Sequence, residues 1–189
     1  MANVKNLRLE TERLIIRAYT ENDFMESFQL MQDKELFEYK PMDVMSIDEF
    51  RELFDFIMAM NEVEFDGDYK YSFIVSLKET GENIGWVGIG GMDTDHAVKE
   101  IYYLISRKHQ CKGYATEASK AMLEFGFNTI GIDEIVAVCM KENIASKRVI
   151  EKSGLKFRYI QEGLTGEFEC CNGDSFYSLT KEEYNEYRV

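Results

Sequence analysis

The alternation of hydrophobic positions is clearest between residues 100 and 125. Residues 101–105 (Ile-Tyr-Tyr-Leu-Ile) are apolar on both faces of an extended chain, which is typical of a strand in the middle of a sheet. Apolar residues then recur with helical spacing at Ala115, Ala118, Met122 and Phe125. The pattern therefore predicts a central strand, a short loop and a helix that buries one face.

The residues before this stretch predict one strand, two helices and two more strands. An apolar run bounded by arginines, residues 13–17, is the first strand, and capping signals at 20–23 and 46–49 open two helices separated by Pro41. An acidic loop that carries Gly67 leads to a strand over 71–77. The next strand contains Gly85, Gly88, Gly90 and Gly91. Because glycine weakens a strand, these positions indicate a bulge, a bend or a close neighbour.

A polar connection over 93–99 leads into the central strand, and the pattern continues after the helix. Gly131 ends that helix, residues 135–139 are a buried strand, and Asn143 caps a short helix that ends at Gly154. Two closing strands follow at 155–161 and 175–179. We predict an α/β (α+β) fold with a mixed sheet of six or seven strands flanked by helices, and a single domain over residues 1–189.

Composition and charge narrow the function classes. The net charge of −13 argues against nucleic acid as a partner, because recognition of a phosphate backbone needs a basic surface. The same charge is compatible with a cationic amine substrate. The sequence has no apolar run long enough for a membrane span and no signal peptide at its start, so we expect a cytoplasmic protein without a membrane partner.

Cysteine and histidine residues give no sign of a metal site. The four cysteines lack ligand spacing and there are two histidines, so we expect no metal. Adjacent Cys170 and Cys171 are interpreted as free thiols of a reducing compartment, with any further role left open. His109 and Cys111 lie two positions apart, and we interpret them as bystanders rather than a catalytic pair.

The loop before the helix has the properties of an anion site. Gly113 and Ala115 leave the first helical turn nearly free of bulk. The first N–H groups of a helix have no internal partner and its dipole favours negative charge, so a phosphate-bearing ligand would fit. The alternative is close packing of helix against strand. The loop carries neither a dinucleotide fingerprint nor a Walker sequence.

The spacing Gln110-x-x-Gly113-x-Ala115 resembles the Gln/Arg-x-x-Gly-x-Gly/Ala loop of the GNAT superfamily of acyl-CoA-dependent N-acetyltransferases. The wider run 110–118 is similar to that loop in the ribosomal-protein N-acetyltransferase branch. Further stretches resemble this branch in the same order, at residues 9–17, 81–86, 143–154 and 177–183. The resemblance therefore covers about residues 7 to 180, nearly the whole chain.

The resemblance implies acetyl-CoA as the co-substrate and assigns residues to it. The pantetheine arm would lie between the central strand and the next strand, against the backbone of Tyr103, Leu104 and Ile105. Asn143 would contact the same arm. The pyrophosphate would lie on the loop and helix start, formed by Gln110, Cys111, Lys112, Gly113, Tyr114, Ala115 and Thr116.

The reaction implied is direct attack of a neutral amine on a thioester, which needs a base and an oxyanion donor. The resemblance implies Glu100 as the base, a backbone N–H near Leu104 as the donor, and Ser146 as the acid that protonates the departing thiolate. Many relatives have a tyrosine one turn later, where this chain has Ile150. One alternative is that Glu100 is an exposed strand-end residue, and Glu167 and Glu169 are rival candidates for the base. Another is that Asn143 is only the N-cap of its helix and that the Ser146 hydroxyl is only solvated.

Three functions are compatible with these residues. The branch resemblance implies acetylation of a protein N-terminus. A small-molecule amine, such as a polyamine, an amino acid or an antibiotic, would use the same chemistry. A non-catalytic acyl-CoA sensor would keep only the binding site. The length of the acyl group and the formation of a homodimer are left open.

Overall fold

The computed structural model describes residues 3–39, 44–66 and 68–187, so Pro41 and Gly67 lie outside it. Within these residues the strands are β1 Arg8–Glu10, β2 Leu14–Arg17, β3 Lys70–Leu77, β4 Asn83–Met92, β5 Asp95–Ile105, β6 Glu134–Cys139, β7 Lys156–Ile160 and β8 Ser175–Thr180. The α-helices are α1 Phe24–Met31, α2 Ile47–Met60, α3 Tyr114–Phe125, α4 Ile144–Ser153 and α5 Lys181–Tyr187.

The strands form one mixed sheet in the order β1-β2-β3-β4-β5-β6-β8-β7. All neighbouring pairs are antiparallel except β5 and β6, which are parallel. The predicted α/β (α+β) class is confirmed. The count of six or seven strands is wrong, because the sheet has eight strands among the described residues alone. The missed strand, β1, is only three residues long and carries charge at both ends, so it has no alternation to detect.

The predicted connection over residues 93–99 is also wrong. β5 begins at Asp95, directly after the turn from β4. The first three residues of β5, Asp95, His96 and Ala97, are exposed, so this part of the strand lacks the apolar alternation that would mark it in the sequence.

The predicted helix signals are present at the predicted positions. Ser46 and Glu49 form a capping box at the start of α2. Gly113 precedes α3 with φ of 85°, and Gly154 ends α4 with φ of 105°. Both glycines adopt left-handed conformations that other residues rarely reach.

The two faces of the sheet bury different helices. On one face, here called the α3 face, Ile101 and Ile105 of β5 pack in a core with Met122 of α3. On the other, here called the α1 face, Leu104 packs against a cluster that includes Phe24 of α1 and Phe54 of α2. Because side chains alternate along a strand, the residues of β5 are divided between these faces.

Two glycines of β4 allow close approach by β5. A Cβ on Gly88 would lie 2.2 Å from the ring of Tyr102, which crosses β4 so that its hydroxyl reaches the Ser72 hydroxyl at 2.9 Å. A Cβ on Gly85 would lie 2.0 Å from the carbonyl oxygen of Leu104. The expectation of close neighbours along this glycine-rich strand is confirmed at both positions.

Candidate active site

The parallel strands β5 and β6 part soon after they meet. They are paired only at Lys99 with Ile135 and at Glu100 with Val136. Both strands are described in full, and no residue of β5 after Glu100 is paired with β6. Tyr103, Leu104 and Ile105 therefore border a cleft on this side. A ligand with amide groups can pair with such a strand edge.

The loop after β5 has a backbone conformation that suits the binding of an anion. The Gln110 side-chain amide donates to the carbonyl oxygen of Ile105 at 3.0 Å and ties the loop to the end of the strand. Cys111 has φ of 60° and is the one non-glycine residue with positive φ among those described, and Gly113 follows at 85°. Left-handed residues in such a loop can turn successive N–H groups into an anion-binding nest.

The start of α3 adds further donors to this nest. The N–H of Glu117 bonds to the carbonyl oxygen of Gly113, so the earlier N–H groups of Tyr114, Ala115 and Thr116 precede the first intrahelical bond. Such groups and the helix dipole favour a phosphate. An extended strand edge followed by an anion nest matches the amide-containing arm and the pyrophosphate of a coenzyme A ester.

The loop is braced from the turn between β1 and β2, by residues whose role sequence reasoning missed. Arg13 donates to the carbonyl oxygen of Lys112 at 3.0 Å and to the Glu117 carboxylate at 2.7 Å, and its guanidinium lies 4.6 Å from the Tyr114 ring centroid. Glu117 also accepts from the Thr11 hydroxyl. Burial opposes the charge of Glu117, but these hydrogen bonds outweigh it and lower the carboxyl pKa. Thr11 and Arg13 belong to residues 9–17, the opening stretch that resembles the ribosomal-protein branch, and that resemblance could have drawn attention to them.

His109 and Cys111 do not form a pair. The His109 ring is buried, and its Nδ1 lies 2.9 Å from the Ser106 hydroxyl. Burial lowers the His109 pKa, whereas Cys111 is exposed. His109 therefore fixes the turn between β5 and the loop.

At the far side of the cleft, α4 presents Ser146. The Asn143 side-chain oxygen accepts from the Ser146 N–H at 2.9 Å, which makes it the N-cap of the helix. The Ser146 hydroxyl lies 2.8 Å from the hydroxyl of Tyr103. Ile150 is 1% exposed and belongs to the core. The structure therefore joins two predicted site residues, Tyr103 and Ser146, across the cleft.

Cys139, at the end of β6, is the buried thiol of this region. Burial raises the pKa of its thiol to about 11. A thiol with such a pKa is protonated at neutral pH and is a poor nucleophile.

Glu100 lies where the two strands part, on the α1 face. Its side chain is 15% exposed, and one carboxylate oxygen lies 3.4 Å from the Lys70 ammonium. Lys70 also pairs with Asp93. The alternative that Glu100 is an exposed strand-end glutamate is therefore wrong.

The rival bases lie on the short helical turn Gly166–Cys171, where Glu167 and Glu169 are exposed. The same turn carries Cys170 and Cys171, which form no disulfide and whose sulfur atoms are 4.0 Å apart. Among the described residues, no group of three or more histidine, cysteine, aspartate or glutamate side chains is arranged to hold a metal ion. No helix in the described ranges has the length and apolar character needed to cross a membrane.

Comparison with known proteins agrees with this geometry. Residues 13–156 match the family model for the acetyltransferase (GNAT) domain. An uncharacterized N-acetyltransferase, p20 of Bacillus licheniformis, is 31% identical over 93% of this chain and 97% of its own length.

Two solved structures share the fold. Spermidine N-acetyltransferase from Vibrio cholerae, in complex with CoA and spermine, has a TM-score of 0.73 at 19% identity and covers 93% of this chain and 99% of its own. A ribosomal L7/L12 alpha-N-protein acetyltransferase in complex with coenzyme A has a TM-score of 0.74 at 15% identity, over 92% and 98% of the two chains. With the family match over most of its length, the chain belongs to the GNAT family of acetyltransferases, which use acetyl-CoA.

Proposed function

We propose that this chain, acting as a single domain over residues 1–189, transfers an acetyl group from acetyl-CoA directly to the primary amine of a protein N-terminus. The observation that carries this proposal is the parting of β5 and β6 at Glu100, beside the braced nest of residues 110–116. Direct transfer is favoured over an acyl-enzyme because the Cys139 thiol, with its pKa raised to about 11 by burial, is a poor nucleophile.

The cleft residues have separate binding tasks in this proposal. The backbone of Tyr103, Leu104 and Ile105 pairs with the amides of the pantetheine arm, and the loop N–H groups hold the pyrophosphate. Asn143 uses its side-chain oxygen to cap α4, which leaves the amide NH₂ as its donor toward the arm.

The reacting groups approach from opposite faces of the sheet. Glu100 faces the α1 face, where it accepts a proton from the incoming ammonium, directly or through water. Ser146 contacts Tyr103 of the α3 face and donates to the departing sulfur. A backbone N–H near Leu104 stabilises the oxyanion.

A small polyamine is the second candidate acceptor, and one observation favours it. Acidic side chains lie around the Glu100 end of the sheet, where Asp93 pairs with Lys70 and Asp68 pairs with His96. A polycation would be attracted to such a surface. The protein N-terminus remains our first proposal because the loop and four further motifs resemble the ribosomal-protein branch.

The first experiment separates binding from chemistry. Calorimetry with acetyl-CoA should detect binding, and absence of binding would contradict both the enzyme and the sensor functions. Release of free thiol is then followed with N-terminal peptides and with polyamines as acceptors. Turnover with peptides supports our proposal, turnover only with polyamines supports the second candidate, and binding without turnover on any amine supports a sensor.

The second experiment tests the base. We expect Glu100→Gln to lower kcat at least tenfold, since general bases contribute on the order of 10² or more, with little change in acetyl-CoA affinity. Glu134→Gln is the matched control, because Glu134 is exposed at the start of the neighbouring strand. If Glu100→Gln leaves kcat unchanged, the base lies elsewhere, and Glu167 and Glu169 are the residues to replace next.

A further inference from the structure

The Tyr103 phenol crosses the cleft from β5 to the first turn of α4. Its hydroxyl lies 2.8 Å from the Ser146 hydroxyl and 3.2 Å from the Ser146 carbonyl oxygen, and either hydroxyl can be the donor in the shorter contact. Burial raises the Tyr103 pKa well above its usual value. The phenol therefore keeps its proton throughout the neutral pH range and is a permanent hydrogen-bond donor.

The contact between the two hydroxyls can have either direction, and the two directions leave different protons available. A serine hydroxyl has one proton and two acceptor lone pairs. When the phenol donates its one proton to the Ser146 hydroxyl oxygen, the shorter of its two contacts, the serine proton is left for a third atom in the cleft. The reverse arrangement would use the serine proton on the phenol and leave none for a ligand.

We propose that Tyr103 is a positioning residue that fixes the Ser146 hydroxyl with its proton toward the sulfur of the departing coenzyme A, an inference that rests on the proposed function. No second hydroxyl is supplied one turn later on α4, because Ile150 stands there and is buried. The central strand therefore supplies the phenol that orients the helix serine.

The proton balance of this step is complete. The amine nitrogen forms a bond to the acetyl carbon, the carbon–sulfur bond breaks, and its electron pair goes to sulfur. The nitrogen loses two protons in all: the first passes from the ammonium to Glu100 before attack, and the second leaves after the carbon–nitrogen bond has formed. Ser146 gives its proton to the sulfur and recovers one through water from that second nitrogen proton, while Tyr103 keeps its own.

A double-mutant cycle on kcat tests the coupling. Tyr103→Phe keeps the ring and removes only the hydroxyl, and we expect kcat to fall about tenfold, the equivalent of one hydrogen bond. The KM for acetyl-CoA should change less than about twofold. In the Ser146→Ala background the same change should have almost no effect, because residues that act as a unit are not additive.

Tyr177→Phe is the control, since Tyr177 is also buried among the residues of the α3 face core, and it should leave kcat unchanged. Thermal unfolding and CoA affinity of each variant exclude a folding defect as the cause.

Three results would overturn the inference. An additive double mutant would mean that Tyr103 and Ser146 act separately. Unchanged kcat in Tyr103→Phe would mean that the phenol has no part in the reaction. Equal losses in CoA affinity and kcat would assign Tyr103 to cofactor packing. Absence of wild-type turnover with every amine would instead refute the proposed function, and this inference with it.

Discussion

Replacing Arg13 by methionine should weaken coenzyme A binding although Arg13 is remote from the reacting groups. Methionine keeps the aliphatic stem but removes the donors to Lys112 and Glu117 and the contact with the Tyr114 ring. Glu117 would retain its hydrogen bonds from the Thr11 hydroxyl and the backbone N–H at position 13. The anchor of the helix therefore survives, while the carbonyl of the loop is released.

The size of the effect follows from what the brace restrains. The Arg13 and Glu117 side chains are 43% and 16% exposed, so their pairing contributes about 1 kcal/mol rather than the larger value of a buried pair. Cys111 is held at φ of 60°, a conformation that costs about 1–2 kcal/mol outside glycine. Without the hydrogen bond from Arg13 to the Lys112 carbonyl, the loop can leave this strained conformation. Part of the binding free energy of CoA is then used to restore it. We expect Kd for CoA to rise about fivefold to tenfold, or about 1–1.4 kcal/mol.

Calorimetry with two ligands distinguishes the mechanism. In the proposed site CoA contacts both the loop and the strand edge, whereas pantetheine lacks the pyrophosphate and would contact only the edge. Arg13→Met should weaken CoA and leave pantetheine binding unchanged. Arg8→Met is the matched control, because Arg8 pairs with Glu10 at the same edge of the sheet, and it should change neither ligand. Equal weakening of both ligands, or no weakening of CoA, would refute the reasoning.

Two further predictions concern stability. The Glu183 pKa is lowered from 4.5 to about 2 by hydrogen bonds from Lys156, the N–H of Thr180 and Arg158, so the ionised carboxylate stabilises the fold above pH 4.5 and this stabilisation is lost as the pH falls toward 2. Chemical denaturation of Glu183→Gln should show a loss in unfolding free energy of about 1–2 kcal/mol at pH 7 that shrinks between pH 4.5 and 2. A loss that does not depend on pH would contradict this. Gly88→Ala would put a Cβ 2.2 Å from the Tyr102 ring and should lower stability by about 1–3 kcal/mol, measured as Tm. Gly163→Ala is the comparison: its added Cβ meets no atom within 4 Å, but its φ of 79° strains an alanine, so it gives the cost of backbone strain alone. A smaller loss in Gly88→Ala than in Gly163→Ala would contradict a costly contact with Tyr102.

The sequence predicted elements that carry their own signals. Ser46 and Glu49 define a helix start within four residues. The apolar residues on both faces of 101–105 indicate a central strand without any information about the rest of the chain. The loop at 110–116 was recognisable for the same reason, because Gly113 and the helix start are adjacent in sequence. Such local signals do not depend on tertiary context.

Features that depend on distant residues were missed. α5 is charged over most of its length (Lys-Glu-Glu-Tyr-Asn-Glu-Tyr) and is placed largely by Tyr184, which packs on Phe127. The contact of Lys70 with Glu100 spans 30 positions, and that of Tyr103 with Ser146 spans 43. No spacing rule links such positions, so the surroundings of Glu100 and of Ser146 could not be derived from the sequence.

The alternation of β5 links the fold to a direct transfer. Glu100 and Tyr103 are three positions apart, so their side chains lie on opposite faces of the strand. In the proposed reaction the amine would therefore approach Glu100 from the α1 face, whereas the sulfur that Ser146 would protonate lies toward the α3 face. Since β5 and β6 part between these residues, the thioester can lie in the gap and be reached from both sides at once. This arrangement favours a ternary complex, because neither substrate has to leave before the other can bind.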